Sequence, residues 1–132
     1  MPRSEGKRFR RKSPSHIKVN FLETIPFDCV TQKIVIETKE FSAVCPFSGL
    51  PDIAKVVIVY YPVGKRIIEL KSLKYYFMSF RDVGVYQEQA TAIIFEDLSR
   101  VLGISEEGLQ VITTYNTRGG MDVVCQMGCN IL

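Results

Sequence analysis

The sequence predicts an α+β domain in which an antiparallel four-stranded sheet carries two helices on one face. Three observations predict this fold class: strand-like segments occur in two pairs, helical segments lie between the pairs, and the chain has no internal repeat. The expected order is therefore ββααββ. The 132 residues, of which 46% are hydrophobic and 23% charged, are enough for one domain with a buried core.

A basic tail is predicted at residues 1–14, before a single domain at 15–132. The tail holds six basic residues against Glu5, whereas the remainder holds 11 basic and 13 acidic residues. A basic arm can bind RNA, but this one has no aromatic residue for base stacking beyond Phe9. A disordered, solubilising extension is therefore favoured, and direct nucleic-acid binding is not expected.

The first strand pair is predicted on either side of a turn-rich loop. The pattern becomes strand-like from Ile17, and residues 32–44 alternate between apolar and charged side chains. Two prolines and a glycine mark 45–51 as a loop. Residues 52–61 are β-branched and aromatic, which is typical of a strand. The two strands should pair antiparallel around the loop.

Helices are predicted in the middle of the chain. Residues 65–70 can extend a strand, and residues 72–80 have the pattern of a short helix. The clearest helix is 87–102, where apolar residues recur at a spacing of 3.6. Gly103 is a natural stop for it.

A final hairpin is predicted from 109–116 and 121–126, joined through the glycine-containing turn at 117–120. The strands are rich in valine, isoleucine and tyrosine. Because the helices cover only one face of the sheet, the other face is expected to meet another subunit.

The cysteines and the single histidine exclude several classes of site. Cys29, Cys45, Cys125 and Cys129 lack the spacing of a zinc site, and His16 alone supplies neither a metal cluster nor a Ser-His-Asp triad. No metal is therefore expected. The chain has no apolar run long enough to span a bilayer and no secretory signal pattern, so a cytoplasmic protein with reduced thiols is predicted.

Three segments can carry chemistry: FSAVCPFSGLPD at 41–52, ELKSLKYY at 69–76 and TRGG at 117–120. The first places the thiol of Cys45 at a strand end, where it can be exposed and activated, with Asp52 across the loop. In the second, Lys71 and Lys74 share one helix face. Taken singly, a cysteine is more often a core residue, an aspartate a turn residue, and two lysines a solvated surface.

Together, these segments resemble the NADPH-dependent 7-cyano-7-deazaguanine reductases, the nitrile reductases of queuosine biosynthesis. Residues 69–76 match that family's signature, E-[SL]-K-[SA]-hydrophobic-K-[LY]-[YFW], at every position. The resemblance runs from about residue 22 to about residue 126. It implies the tunnelling fold in its single-module form.

The resemblance implies roles for several polar residues of the three segments. Cys45 would attack the nitrile carbon and form a covalent thioimide, while Asp52 would donate a proton to the nitrogen. Lys71, Lys74 and Arg118 would bind the phosphates of NADPH. No G-x-G-x-x-G fingerprint is present, so a charge-based cofactor site is expected.

Recognition of the deazapurine is expected at the start of the second helix. By the resemblance, Glu88 accepts two parallel N–H bonds from the heterocycle, although an acid is common in any first helical turn. Gln87 stands where many members of the family carry histidine, so it can hydrogen-bond but cannot act as an acid. Glu69 and Ser72 are assigned to the substrate, and Glu69 has the alternatives of ordering a lysine or holding the cofactor ribose. Two aromatic residues can line the base pocket: Phe47 and Tyr86.

The resemblance also implies a homo-oligomeric ring, such as two stacked pentamers, with active sites between subunits. Two rival functions stay open. An amidine-forming relative would use the same thioimide on nitrile-bearing tRNA, but such relatives lack the lysine signature that Lys71 and Lys74 provide here. A non-catalytic RNA-binding module of the same fold would not need Cys45, and its binding would fall steeply with salt.

Overall fold

A computed structural model describes residues 11–130. Four strands form the main sheet in the order β2-β3-β5-β6, with every neighbouring pair antiparallel. The α+β class and the ββααββ order of this sheet and its helices are confirmed. The elements are β1 (Thr24–Pro26), β2 (Ile34–Val44), β3 (Pro51–Tyr60), β4 (Arg66–Ile68), α1 (Leu70–Met78), α2 (Gln87–Leu102), β5 (Leu109–Tyr115) and β6 (Val124–Gly128).

The core lies between the main sheet and the two helices. Ile58 of β3 stands beside Ile36 of β2 and Val111 of β5 in the sheet register. Opposite them, α2 buries Ile94 and Leu98 completely. Burying one such side chain stabilises the fold by about 1.5–3 kcal/mol. The period-2 pattern of the strands and the 3.6 period of α2 therefore meet in one apolar layer.

A buried polar contact joins the two helices. The hydroxyl of Tyr76 on α1 donates to Asp97 on α2 at 2.6 Å, and Arg100 donates to the other carboxylate oxygen at 2.6 Å. Burial and the neighbouring carboxylate raise the pKa of Tyr76, so its hydroxyl stays protonated and remains a donor. This contact fixes α1 against α2.

The helix ends follow from local chemistry. The predicted bounds of α2 are confirmed, and Gly103 takes the left-handed φ of +66° that ends the helix. α1 begins two residues before the predicted start, because Glu69 caps its N-terminus, and it also ends two residues earlier than predicted. The Glu69 carboxylate accepts hydrogen bonds from the amides of Lys71 at 2.7 Å and Ser72 at 3.0 Å.

Two strand predictions need correction. The segment that follows Ile17 contains a 3-10 turn at Val19–Phe21 before the short strand β1. The predicted extension at 65–70 is instead β4, which pairs with β1 in a separate two-stranded sheet. The segment does not extend the main sheet because the chain turns after β3. In this turn Lys65 takes a left-handed φ of +62°.

The N-terminal residues that the structure describes lie against the domain. The amide of Lys12 donates to the carbonyl of Asp82 at 2.5 Å, and the amide of Gly84 donates to the carbonyl of Lys12 at 2.8 Å. Residues 11–14 of the predicted tail thus belong to the described part of the chain, and residues 1–10 lie outside the described residues. Within 11–130, no helix has the length and hydropathy needed to cross a membrane.

Candidate active site

The Cys45 loop is a closed turn between β2 and β3. The amide of Cys45 donates to the carbonyl of Leu50 at 2.9 Å, and the amide of Gly49 donates to the carbonyl of Cys45 at 2.9 Å. Gly49 takes a φ of +70°, a conformation that glycine adopts without steric cost. The loop therefore holds the thiol at the strand end that the sequence predicts.

The turn also activates the thiol. The backbone amides of Ser48 and Phe47, and then the hydroxyl of Ser48, lower the pKa of Cys45 by donating to its sulfur, against smaller opposing effects of burial and of Asp52. Donors aimed at a thiolate favour the charged form. The backbone turn therefore stabilises the thiolate form of Cys45. No role for Ser48 is predicted from the sequence, although its place three residues after the cysteine is a usable signal.

Asp52 lies beside this loop at the start of β3. It pairs with Ala43 across the sheet, and its side chain is only 9% exposed. Its carboxylate forms an ion pair with Arg118 of the hairpin turn between β5 and β6. The same Arg118 nitrogen, Nη1, donates to the carbonyl of Pro51 at 3.2 Å. Arg118 therefore lies next to the predicted proton donor.

The start of α2 closes the site from the other side. The amide of Val44 donates to the carbonyl of Val83 at 3.0 Å, and the amide of Val85 donates to the carbonyl of Val44 at 3.1 Å. This pairing brings Tyr86, Gln87 and Glu88 next to the end of β2. Glu88 is exposed in the first turn of α2, where a carboxylate is favoured.

These elements enclose a pocket of about 350 Å³, within the range of small-molecule sites. The rings of Phe47 and Tyr86 meet edge to face beside it, with centroids 6.0 Å apart, and the Phe47 side chain is 75% exposed. The pocket thus combines a thiol, carboxylates, a guanidinium and an aromatic wall. Its lining residues are Cys45, Pro46, Asp52, Tyr86, Gln87, Glu88 and Arg118.

A buried network under the pocket holds the first turn of α2. The carbonyl of Gln87 accepts hydrogen bonds from the hydroxyls of Thr91 at 2.9 Å and Tyr115 at 3.4 Å. Thr91 also hydrogen-bonds Thr113 of β5 at 2.6 Å. Burial raises the pKa of Tyr115, which keeps this donor protonated. This hydrogen-bond network is not predicted from the sequence, because it depends on contacts between distant segments of the chain.

Residues 69–76, which match the family signature, line cavities other than the Cys45 pocket. Glu69, Lys71, Ser72 and Tyr75 line a cavity of about 510 Å³, in which the Lys71 ammonium stands 5.9 Å from the centre of the Tyr75 ring. Ser72 is buried, and its hydroxyl accepts a bond from the amide of Glu23 at 2.9 Å. Both predicted substrate residues of this segment, Glu69 and Ser72, thus have structural partners within the chain.

Lys74 faces a third cavity, of about 330 Å³, which Thr38 and Arg81 also line. The two lysines are three apart on α1, as predicted, but they border two different cavities. A long anionic ligand lying across α1 can contact both side chains, because both lysines are exposed. Two exposed ammonium groups on one short helix fit a cofactor with several phosphates.

Among residues 11–130, no group of three or more histidine, cysteine, aspartate or glutamate side chains is close enough to hold a metal ion. His16 lies in the N-terminal 3-10 turn, where its ring is within 3.3 Å of the Ser13 hydroxyl. The four cysteines are free thiols.

Comparison with known proteins gives concordant results. A family model described as QueF-like protein matches residues 51–130. A protein of Thermotoga petrophila named NADPH-dependent 7-cyano-7-deazaguanine reductase is 56% identical over 128 residues, which are 97% of this chain and 92% of the relative. A protein of Caldicellulosiruptor bescii with the same name is 42% identical over 119 residues, which are 89% of this chain and 88% of the relative.

A solved structure shares the fold. The crystal structure of the archaeosine synthase QueF-Like in the apo form superposes with a TM-score of 0.62 at 16% identity, covering 80% of this chain and 98% of that one. At this identity the likeness shows the fold alone. The predicted tunnelling fold is confirmed.

Proposed function

Because the chain belongs to the QueF-like protein family, we propose that it is an NADPH-dependent 7-cyano-7-deazaguanine reductase of queuosine biosynthesis. The reaction reduces the nitrile of 7-cyano-7-deazaguanine to the aminomethyl group. One observation carries the proposal: an activated thiol, Cys45, shares a small-molecule pocket with Asp52 and Glu88.

The first step is covalent. The sulfur of Cys45 attacks the electrophilic carbon of the nitrile, and one π pair of the C≡N bond moves to nitrogen. Asp52 takes the proton of the Cys45 thiol and delivers it to that nitrogen. The product is a thioimide, with a new C–S bond and a C=N–H group. The amides that lower the pKa of Cys45 favour the attacking thiolate.

The reduction then proceeds on a carbon held by the enzyme. Nitrile to amine is a four-electron change, so two hydride equivalents are needed, and NADPH supplies them when it is bound. Cys45 retains the carbon until the first reduction is complete, and the pocket then keeps the imine from escaping to water. Asp52, at the same wall, can move the further protons.

Substrate recognition is assigned to the start of α2. The Glu88 carboxylate accepts the ring N–H and the exocyclic amine of the deazaguanine, and the Gln87 side chain adds a donor and an acceptor. Phe47 and Tyr86 contact the flat heterocycle. Glu69 and Ser72 support this site from a neighbouring subunit, and their main contacts in one chain stabilise α1 and the chain before β1.

The cofactor site is assigned to α1. Lys71 and Lys74 bind the phosphates of NADPH, and the exposed ring of Tyr75 offers an aromatic surface beside Lys71. Since these residues border cavities apart from the Cys45 pocket, one chain alone does not bring the two half-sites together. We infer that the α1 surface of one subunit meets the Cys45 pocket of another.

The exposed apolar side chains on the face of the main sheet opposite the helices support an oligomer. They include Val35, Ile53 and Val124, which are 49%, 46% and 53% exposed. These exposed apolar side chains of β2, β3 and β6 form part of a surface that a second subunit can bury. A ring, such as two stacked pentamers, would do so with intersubunit active sites. The free thiols, and a small-molecule substrate from the biosynthesis of a tRNA nucleoside, are consistent with a cytoplasmic location.

Product analysis tests the proposed function. The purified protein is mixed with 7-cyano-7-deazaguanine and NADPH, and cofactor absorbance and product mass are followed. The expected result is the aminomethyl product with two NADPH oxidised per molecule. NADPH-independent amidine formation on tRNA in the presence of ammonia would instead support the amidine-forming alternative. Tight, salt-sensitive RNA binding without any turnover would support the RNA-binding module.

A further inference from the structure

Arg118 lies in the Cys45 pocket, whereas both lysines of the signature lie on α1. Its Nη1 forms the ion pair with Oδ1 of Asp52 and donates to the carbonyl of Pro51. One nitrogen of Arg118 therefore binds two consecutive residues at the start of β3. These contacts fix the guanidinium over the end of the strand that carries the proton donor.

The two partners differ in burial. The Asp52 side chain is 9% exposed and the Arg118 side chain is 42% exposed. A carboxylate removed from water needs a charged or hydrogen-bonding partner. The other ionisable groups of this site are Cys45, Tyr86 and Glu88, which line the same pocket, and Tyr115, which interacts electrostatically with Asp52. None of these four supplies a positive charge, so among the described residues that line the pocket Arg118 alone does.

Resting on the proposed function, we infer that Arg118 is a positioning residue for Asp52 in thioimide formation. Arg118 engages Oδ1, which leaves Oδ2 to handle the proton. Asp52 takes the proton of the Cys45 thiol and passes it to the nitrile nitrogen as the C–S bond forms. Asp52 is a carboxylate before and after this transfer, and Arg118 balances its charge in both states. No further reactant is needed.

This role differs measurably from cofactor binding. The thioimide forms without NADPH, so a residue that only binds cofactor phosphates affects the KM for NADPH and spares adduct formation. A residue that positions Asp52 affects the rate of adduct formation and leaves that KM unchanged. Lys71→Ala provides the reference for the first behaviour.

The experiment measures the rate of adduct formation in the absence of NADPH, by mass spectrometry of quenched samples. Arg118→Ala should slow it by about 10- to 100-fold, a part of what general acid–base catalysis typically contributes. Arg118→Lys should recover part of the rate. In an Asp52→Asn background, Arg118→Ala should have no further effect, because the two residues act as a unit. Met121→Ala, in the same turn but outside the pocket, is the matched control and should react at the wild-type rate.

Two results would overturn the inference: an Arg118→Ala variant that forms adduct within about twofold of the wild-type rate, or Arg118 and Asp52 substitutions whose effects multiply. Circular dichroism checks folding, and if Arg118→Ala is unfolded, Arg118→Gln is judged by the same criteria. Absence of adduct in the wild-type protein would instead refute the proposed function, so the two failures are distinguishable.

Discussion

Glu69 is the signature residue whose role in one chain is structural, and its replacement separates folding from catalysis. Its carboxylate accepts two backbone hydrogen bonds at the start of α1, from Lys71 at 2.7 Å and Ser72 at 3.0 Å. Loss of an N-cap typically costs about 0.5–2 kcal/mol. Because both carboxylate oxygens are used, we expect Glu69→Ala to lie at the upper end, at about 1–2 kcal/mol.

Thermal unfolding at a fixed protomer concentration measures this effect. For a domain of this size, 1 kcal/mol corresponds to a change in Tm of about 3–5 °C, so a fall of about 3–10 °C is expected. Glu69→Gln keeps one acceptor oxygen and should fall in between. Glu96→Ala, an exposed glutamate in the middle of α2, is the control and should stay within about 0.5 kcal/mol of wild type.

The same variant tests whether the cap acts through α1. If it does, the KM for NADPH rises in Glu69→Ala, since fraying of the first turn displaces Lys71, while adduct formation without NADPH is spared. A wild-type Tm combined with a loss of substrate binding would refute the capping argument. That outcome would favour the direct substrate contact that the sequence predicts for Glu69.

Three further predictions concern the site and the core. Because donors from Ser48 and Phe47 lower the pKa of Cys45, the thiolate is present at lower pH than for an ordinary cysteine; iodoacetamide labelling of Cys45 should therefore persist at lower pH, and Ser48→Ala should move its onset to higher pH. An unchanged labelling profile in Ser48→Ala would contradict this. Lys71→Ala and Lys74→Ala should each raise the KM for NADPH several-fold and leave adduct formation unchanged in steady-state and single-turnover assays; a slower adduct step would place a lysine in the chemistry. Tyr76→Phe should lower the free energy of unfolding by about 1–3 kcal/mol in urea titrations, because it removes a buried hydrogen bond to Asp97, and a neutral result would mean that Arg100 alone satisfies that carboxylate.

The local sequence pattern was enough to predict the elements that are long enough to show a repeat of apolar residues. The sixteen residues of α2 repeat an apolar face and end at Gly103, so its bounds follow from the sequence. The strands β1 and β4 have three residues each, too few to show an alternation, and their pairing depends on a turn at Lys65. The sequence therefore predicts the main sheet and misses the small one.

The candidate site is likewise predicted only in part from the sequence. Motif spacing brings Cys45 and Asp52 together because a single loop separates them. The ion pair between Asp52 and Arg118 spans 66 residues, and only the register of β3 with β5 and the hairpin that follows creates it. The activation of Cys45 depends on the directions of amide groups in a turn, which residue types alone do not specify.

The most direct test of the account is the mass of the protein after incubation with 7-cyano-7-deazaguanine alone. Addition of a thiol to a nitrile expels no group, so the predicted gain is the full mass of one substrate molecule per chain. Peptide mapping should locate it at Cys45, and NADPH should discharge it. A protein that gains no mass, or a Cys45→Ala variant that still gains it, would contradict the covalent mechanism.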